Sequence, residues 1–345
     1  MTGPEAAPVL RVEDLHVTYR GRTRRRKPVL AVDGVSFEIR PGEVLALVGE
    51  SGCGKTSIAR AVMRLLEPSG GTIVFNGTDI TALKNRALRP LRAGIQMVFQ
   101  DPYESLDPRQ TVFDLVAEPL SIHRRLRGRA ERREAVFRAL ERAGLHPAEE
   151  IARRYPHHLS GGQRQRVAIA AAMVLEPSVV VADEPVSMLD VSLRAGILRL
   201  MLELREQRDL AYLFITHDLS LAWVVADRIA VVYLGRIVEI GPSAEVIGSP
   251  RHPYTKALVS VIPVPEAGAA ADQIVLVGET PSARAVPAGC RFHPRCWKYE
   301  QLGRPEICVT QDPALTGERH RGACHFLLDQ DASANLDVEP QGDPA

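Results

Sequence analysis

Residues 44–56 read Val44-Leu-Ala-Leu-Val-Gly-Glu-Ser-Gly-Cys-Gly-Lys-Thr56, a five-residue apolar run that breaks into a glycine-rich turn. A continuous aliphatic run of this length suits a strand covered on both faces. Behind the turn, Ile58, Val62 and Leu65 recur at i, i+4 and i+7 while Arg60 and Arg64 lie off that stripe, which predicts a helix starting near Lys55. Gly49 to Thr56 fits the pattern G-x-x-x-x-G-K-(S/T). Glycines at 49, 52 and 54 let the backbone wrap so that its N–H groups converge on phosphate oxygens, and the helix start adds its positive end. Lys55 is expected to reach the β- and γ-phosphates of a nucleotide and the Thr56 hydroxyl to ligate Mg²⁺, with Ser51, Cys53 and Ser57 completing the contacting stretch. A glycine-rich turn matching by accident would arise on the order of once in a hundred chains of this length. Cys53, at a helix N-terminus that favours thiolate, is expected to be alkylatable.

Outward from this unit, Ile95–Phe99, Val179–Ala182, Tyr212–Ile215 and Ile229–Tyr233 read as further buried strands alternating with helical patterns, so residues 1–250 are expected to form an α/β layered domain. Strand signals vanish between about Leu106 and Leu175, where Arg-rich helical patterns such as Ala130–Arg142 predict an inserted helical subdomain over about 101–175. The basic run Arg20–Lys27 reads as a solvated loop between two early strands. Beyond Pro250 prolines and glycines become frequent, predicting a loop-rich appendage over 251–330, with a frayed tail over 331–345. At 345 residues the chain has room for about two domains. Its 45% hydrophobic and 25% charged residues exclude wholesale disorder. Lys plus Arg (43) against Asp plus Glu (42) leaves +1, so any anionic partner has to be argued from a local site. The first ten residues lack the order of a signal peptide and no 18-residue apolar stretch occurs, so the protein is expected to be soluble and cytosolic.

Asp183 and Glu184 end the run Val179–Ala182, at the carboxyl end of a buried strand, where α/β sheets build ligand sites. Asp183 is placed to hold a metal and Glu184 to polarise a water attacking the γ-phosphate. Leu159-Ser-Gly-Gly-Gln163 opens a helix that Ser160 can cap, with Gly161 and Gly162 leaving its first amides open to an anion. With these three motifs in order, the sequence resembles the ATP-binding cassette family of transport ATPases. The resemblance implies that Gln100 is the glutamine that contacts Mg²⁺ and links nucleotide to the helical subdomain. It implies that Ser187–Asp190 is the family's D-loop, that His217 senses the γ-phosphate and that Tyr19 stacks on adenine. It also implies a head-to-tail pair of cassettes in which Ser160–Gln163 of one subunit complete the site formed by Lys55, Asp183 and Glu184 of the other, with Asp190 counted among the nucleotide-site residues. Met188 and Cys53 depart from the commoner family residues without removing a catalytic group.

Phe99-Gln-Asp-Pro-Tyr-Glu-Ser-Leu-Asp-Pro108, Arg251-His-Pro-Tyr-Thr-Lys-Ala-Leu258 and the Cys-containing tail resemble oligopeptide, dipeptide and nickel importers, over about residues 9–326. That resemblance implies an ATPase subunit, peripheral at the cytoplasmic face of the membrane. Two permease subunits, a second, paralogous cassette and an external peptide-binding protein would be its direct and indirect partners, with no nucleic acid. Nickel import stays open beside peptide import. A soluble cassette acting on ribosomes or nucleic acid is the competing class, against which stand the single phosphate loop and the lack of a heptad insertion. Cys290, Cys296, Cys308 and Cys324 follow C-x₅-C-x₁₁-C-x₁₅-C. Four thiolates can satisfy Zn²⁺ or a [4Fe–4S] cluster. The absence of a tight pair and the family resemblance favour the cluster, while zinc and metal-free cysteines remain alternatives.

Overall fold

The computed structural model describes residues 6–19, 28–126, 128–262 and 273–328. The basic run Arg20–Lys27 and the tail from Asp329 lie outside the described residues. In chain order the strands are β1 (Leu10–Tyr19), β2 (Val29–Ile39), β3 (Val44–Val48), β4 (Gly70–Phe75), β5 (Thr78–Asp79), β6 (Ile95–Val98), β7 (Val179–Asp183), β8 (Ala211–Thr216), β9 (Arg228–Tyr233), β10 (Arg236–Pro242) and β11 (Arg321–Gly322). They form an antiparallel sheet ordered β2-β1-β4-β5 and a larger sheet ordered β11-β10-β9-β3-β8-β7-β6. In the larger sheet β6, β7, β8, β3 and β9 run parallel, and β10 and β11 add antiparallel at one edge.

β3, β7 and β8 are buried at every position, as continuous apolar runs require when both faces are covered. Successive side chains of β3 face opposite ways. Leu45 and Leu47 join a core with Ile58 and Val62 of α1 (Lys55–Val62) and with the antiparallel sheet. Ala46 and Val48 join a different core with Tyr233, Tyr254, Cys290 and Phe292. The phosphate loop therefore leaves β3 between two separately packed layers.

α2 (Asn85–Leu91) precedes β6. Between β6 and β7 the described chain is helical: α3 (Pro102–Ser105), α4 (Val112–Ile122), α5 (Arg129–Arg142), α6 (Ala148–Ala152) and α7 (Gly161–Met173). Their apolar sides share one core with Val180, Ala182, Tyr212 and Phe214 of the sheet and with α8 (Val191–Glu206). α5 buries only Val136, Ala139 and Leu140, which leaves its arginines on the outer face. α9 (Leu219–Val225) and α10 (Ser243–Gly248) cover the remaining face.

One expectation needs correction. The stripe Ile58, Val62, Leu65 stops early, because α1 ends at Val62 and Arg64 adopts a φ of 51°. That turn buries Arg64, whose Nε donates to the Ile80 carbonyl at 3.0 Å, and leaves Leu65 55% exposed. The segment beyond Pro250 is loop-rich, as expected, and it packs onto the main sheet. α11 (Pro253–Ser260), α12 (Trp297–Gln301) and α13 (Ile307–Thr310) are short, yet β11 extends the main sheet and Phe292 wedges against Tyr233 and Tyr254 at ring distances of 5.3 Å.

Candidate nucleotide site

The loop Gly49–Gly54 joins the carboxyl end of β3 to α1. A Cβ at Gly54, where φ is 109°, would stand 2.4 Å from the Ala31 carbonyl, so only glycine lets β2 approach this closely. Gly52, with φ of 78°, faces open space. Lys55 is buried, and its Nζ donates to the Gly49 carbonyl at 2.7 Å and the Glu50 carbonyl at 3.0 Å. The ammonium thus rests on the loop's own carbonyls, within the curve that would receive phosphates. Cys53 is also buried, and loss of solvation pushes its thiol above the usual range despite the nearby Lys55 ammonium. The expected alkylatable thiolate is therefore corrected: desolvation outweighs the helix terminus.

Thr56 Oγ1 lies 3.4 Å from Asp183 Oδ1, joining the loop to the acidic end of β7. Asp183 is buried, and desolvation raises its pKa against the pull of the Thr56 hydroxyl. A hydroxyl and a buried carboxylate are oxygen donors suited to Mg²⁺. Glu184 follows with a φ of 47°, rare for a residue with a side chain. Its Oε2 accepts from Gln100 Nε2 at 3.1 Å and lies 3.2 Å from His217 Nδ1. Gln100 and His217, 84 and 33 positions away and beyond separate strand ends, thus both reach one carboxylate oxygen of Glu184.

Tyr19, 40% exposed, places its hydroxyl 3.1 Å from Ser57 Oγ, beside α1. Ser160 and Gln163 form a reciprocal capping box: Gln163 N–H donates to Ser160 Oγ at 3.3 Å and Ser160 N–H to Gln163 Oε1 at 3.0 Å. These bonds stay within the start of α7, and the structure does not bring Ser160–Gln163 to Lys55 in the same chain. Gly161 and Gly162 rest on Leu189 and Leu193, around the exposed Asp190 that precedes α8. Sequence reasoning missed Arg164, whose guanidinium lies 4.0 Å over the ring of Tyr103, tying α7 to the segment after Gln100.

Cys290, Cys296, Cys308 and Cys324 line one small cavity with His293 and His325. Burial pushes the Cys290 thiol up to about 12 and the Cys324 thiol up to about 11, so these are neutral thiols as they stand. Among the described residues no group of three or more His, Cys, Asp or Glu is disposed to hold a metal ion. The donor type fits the expected [4Fe–4S] cluster or Zn²⁺; the arrangement of the side chains does not.

The ABC transporter family matches residues 32–187, and the family described as oligopeptide/dipeptide transporter, C-terminal region, matches residues 238–301. The fold and site define an ATP-binding cassette ATPase, and the chain belongs to that family. Within it, the chain is 45% identical over 335 residues to the oligopeptide transport ATP-binding protein AppF of Bacillus subtilis (strain 168), covering 94% of this chain and 99% of that protein. Among solved structures, it resembles the dimeric ATP-binding cassette MJ0796 bound to ADP and Pi (TM-score 0.61, 29% identity, 68% of this chain and 98% of that one). It also resembles cbiO1 of Clostridium perfringens, part of the transporter complex cbiONQ (TM-score 0.62, 31% identity, 70% and 91%). No described helix is long and apolar enough to cross a membrane.

Proposed function

We propose that this ATPase energises import of short peptides, working as a peripheral subunit at the cytoplasmic face of two membrane-spanning permeases and beside a second, paralogous cassette. An external peptide-binding protein would select the cargo and reach this subunit only indirectly. The observation that carries the hydrolytic part is the meeting of Gln100, Glu184 and His217 on one carboxylate oxygen beside the Thr56–Asp183 pair. The C-terminal match and the similarity to AppF support peptides as cargo.

In this reading Tyr19 stacks on adenine, and Gly49–Thr56 with Ser57 cradle the phosphates. Thr56, Gln100 and Asp183 would hold Mg²⁺, which when bound offsets charge on the β- and γ-phosphates. Glu184 orients the water that attacks the γ-phosphorus as the bond to the bridging oxygen breaks, and takes up its proton. His217 steadies the γ-phosphate. Ser160 and Asp190 are exposed, and Ser160–Gln163, with Asp190, would complete the partner cassette's site. We also propose the division 1–250, cassette; 251–330, C-terminal region; 331–345, tail.

Glu184→Gln should keep ATP binding and lower turnover in the assembled transporter by about 10²–10⁴-fold. Peptide uptake into vesicles holding all subunits should stop with it. Turnover within twofold of the wild type would remove Glu184 from this role, and ATP-dependent uptake of nickel without peptide would replace the cargo.

For the cysteines we propose a [4Fe–4S] cluster, with Zn²⁺ the alternative; all four line one cavity, but as they stand they do not close on an ion, so the thiols would have to lose protons and move together to bind. Iron and zinc measured on anaerobically purified protein test this, about four irons per chain being expected. Folded protein free of both metals would sink it.

A further inference from the structure

Glu50, the second residue of the phosphate loop, is gripped by residues more than 200 positions away. Arg295 Nη1 donates to both of its carboxylate oxygens, at 3.1 and 2.9 Å, and to Thr280 Oγ1 at 3.1 Å. The Thr280 hydroxyl is itself hydrogen-bonded to the Glu50 carboxylate. The backbone N–H of Glu50 donates to the Tyr254 hydroxyl at 3.1 Å. On its other side, the Glu50 carbonyl accepts from Lys55 Nζ at 3.0 Å. All of Glu50's polar groups are thus engaged, and all but the carbonyl are engaged by the C-terminal segment.

The grip is enclosed. The Arg295 side chain is only 9% exposed and that of Glu50 27%, so losing either partner would strand a poorly solvated charge. Arg295 is in turn fixed. Its N–H donates to the Phe292 carbonyl at 2.9 Å, Phe292 is fully buried against Tyr233 and Tyr254, and the next residue, Cys296, lines the cysteine cavity. Tyr254, Thr280 and Arg295 all lie within the matched C-terminal region and outside the matched cassette.

We propose that Arg295, with Thr280 and Tyr254, is a positioning residue for the phosphate loop: it acts through Glu50, whose carbonyl holds the Lys55 ammonium. The C-terminal segment then sets the curvature with which the loop meets nucleotide phosphates. This inference rests on the assignment of Gly49–Thr56 to the phosphates. Holding a loop in its binding geometry before ligand arrives raises affinity by removing an ordering cost.

The test is the affinity of the full chain for a fluorescent ATP analogue with Mg²⁺. Arg295→Ala and Glu50→Gln should each weaken binding by about five- to tenfold, and the double variant should be no weaker than either alone. Arg295→Lys, which keeps the charge and a donor but not the guanidinium's simultaneous reach to Glu50 and Thr280, should recover part of the loss. Glu50→Gln alters no side chain of the C-terminal segment and keeps an amide oxygen that can accept from Arg295, so it decides the matter even if Arg295→Ala unfolds that segment. Unchanged affinity in Glu50→Gln and Arg295→Lys, or additive losses in the double variant, would overturn the proposal while the wild type still binds. A wild-type chain that fails to bind the analogue would overturn the phosphate-loop assignment and this inference together.

Discussion

At Cys53 two local rules oppose each other. Its place at the start of α1 and the neighbouring Lys55 favour the thiolate, whereas burial favours the thiol, and burial has the larger effect. Sequence shows the first influence and hides the second, because burial at this position depends on how β9 and the loop pack over it. A Cβ at Gly49 would stand only 3.0 Å from the Cys53 sulfur, a measure of how tightly the loop closes on it. Alkylation by iodoacetamide near neutral pH, followed on the peptide bearing Cys53, should therefore run at least about tenfold slower in the native chain than in urea. Equal rates would mean that the loop opens freely. Glu184 is the contrasting residue. Its motif raised an expectation about chemistry, but that Gln100 and His217 both reach the same oxygen became visible only when β6, β7 and β8 were placed side by side.

Among the elements, α11 carries an unusual cap. His252 Nδ1 accepts the Tyr254 N–H at 3.1 Å, so the ring must stay neutral to cap the helix. Burial holds its pKa down at about 4, outweighing the attraction of Glu239. The native value thus lies below the unfolded one, near 6.5, and between the two the unfolded chain binds more protons. Stability should be complete above about pH 6.5 and fall as the pH drops toward about 4. Denaturant unfolding at pH 7 and pH 5 checks this, with His252→Asn, which still offers an acceptor, expected to flatten the dependence. If the variant keeps the full wild-type slope, another group is responsible. α7 was more legible: Ser160 marked the cap, and the structure completes it as a capping box with Gln163.

Across the whole molecule the C-terminal segment contributes to the same fold as the cassette. Phe292 is fully buried among Tyr233, Tyr254 and His252, and Cys290 joins it in the core that covers Ala46 and Val48 of β3. Phe292→Ala should cost about 3–5 kcal/mol and lower the whole unfolding curve, because the cavity opens directly behind the phosphate-loop strand. A separate early transition, with the cassette melting as before, would instead make the segment an independent unit. The buried carboxylate of Glu239 adds to this continuity by accepting the backbone N–H groups of Arg251 and His252 and bonding His320. It joins β10, the start of α11 and the chain just before β11.

Motifs of contiguous residues were readable in the sequence alone: the phosphate loop, the acidic strand end, the capped glycine helix start and the alternation of buried strands with helices. Each expresses a local requirement, whether backbone freedom at a glycine, a cap three residues from its partner, or a face that must be covered. The sequence also marked the four cysteines as a set, but their shared cavity came from folding. Only the tertiary structure decided that Leu65 lies outside and Arg64 inside, that Cys53 is a neutral buried thiol, and that Arg295 reaches Glu50. These outcomes depend on neighbours far away in the chain, and burial and charge pairing leave no local periodicity from which they could be read.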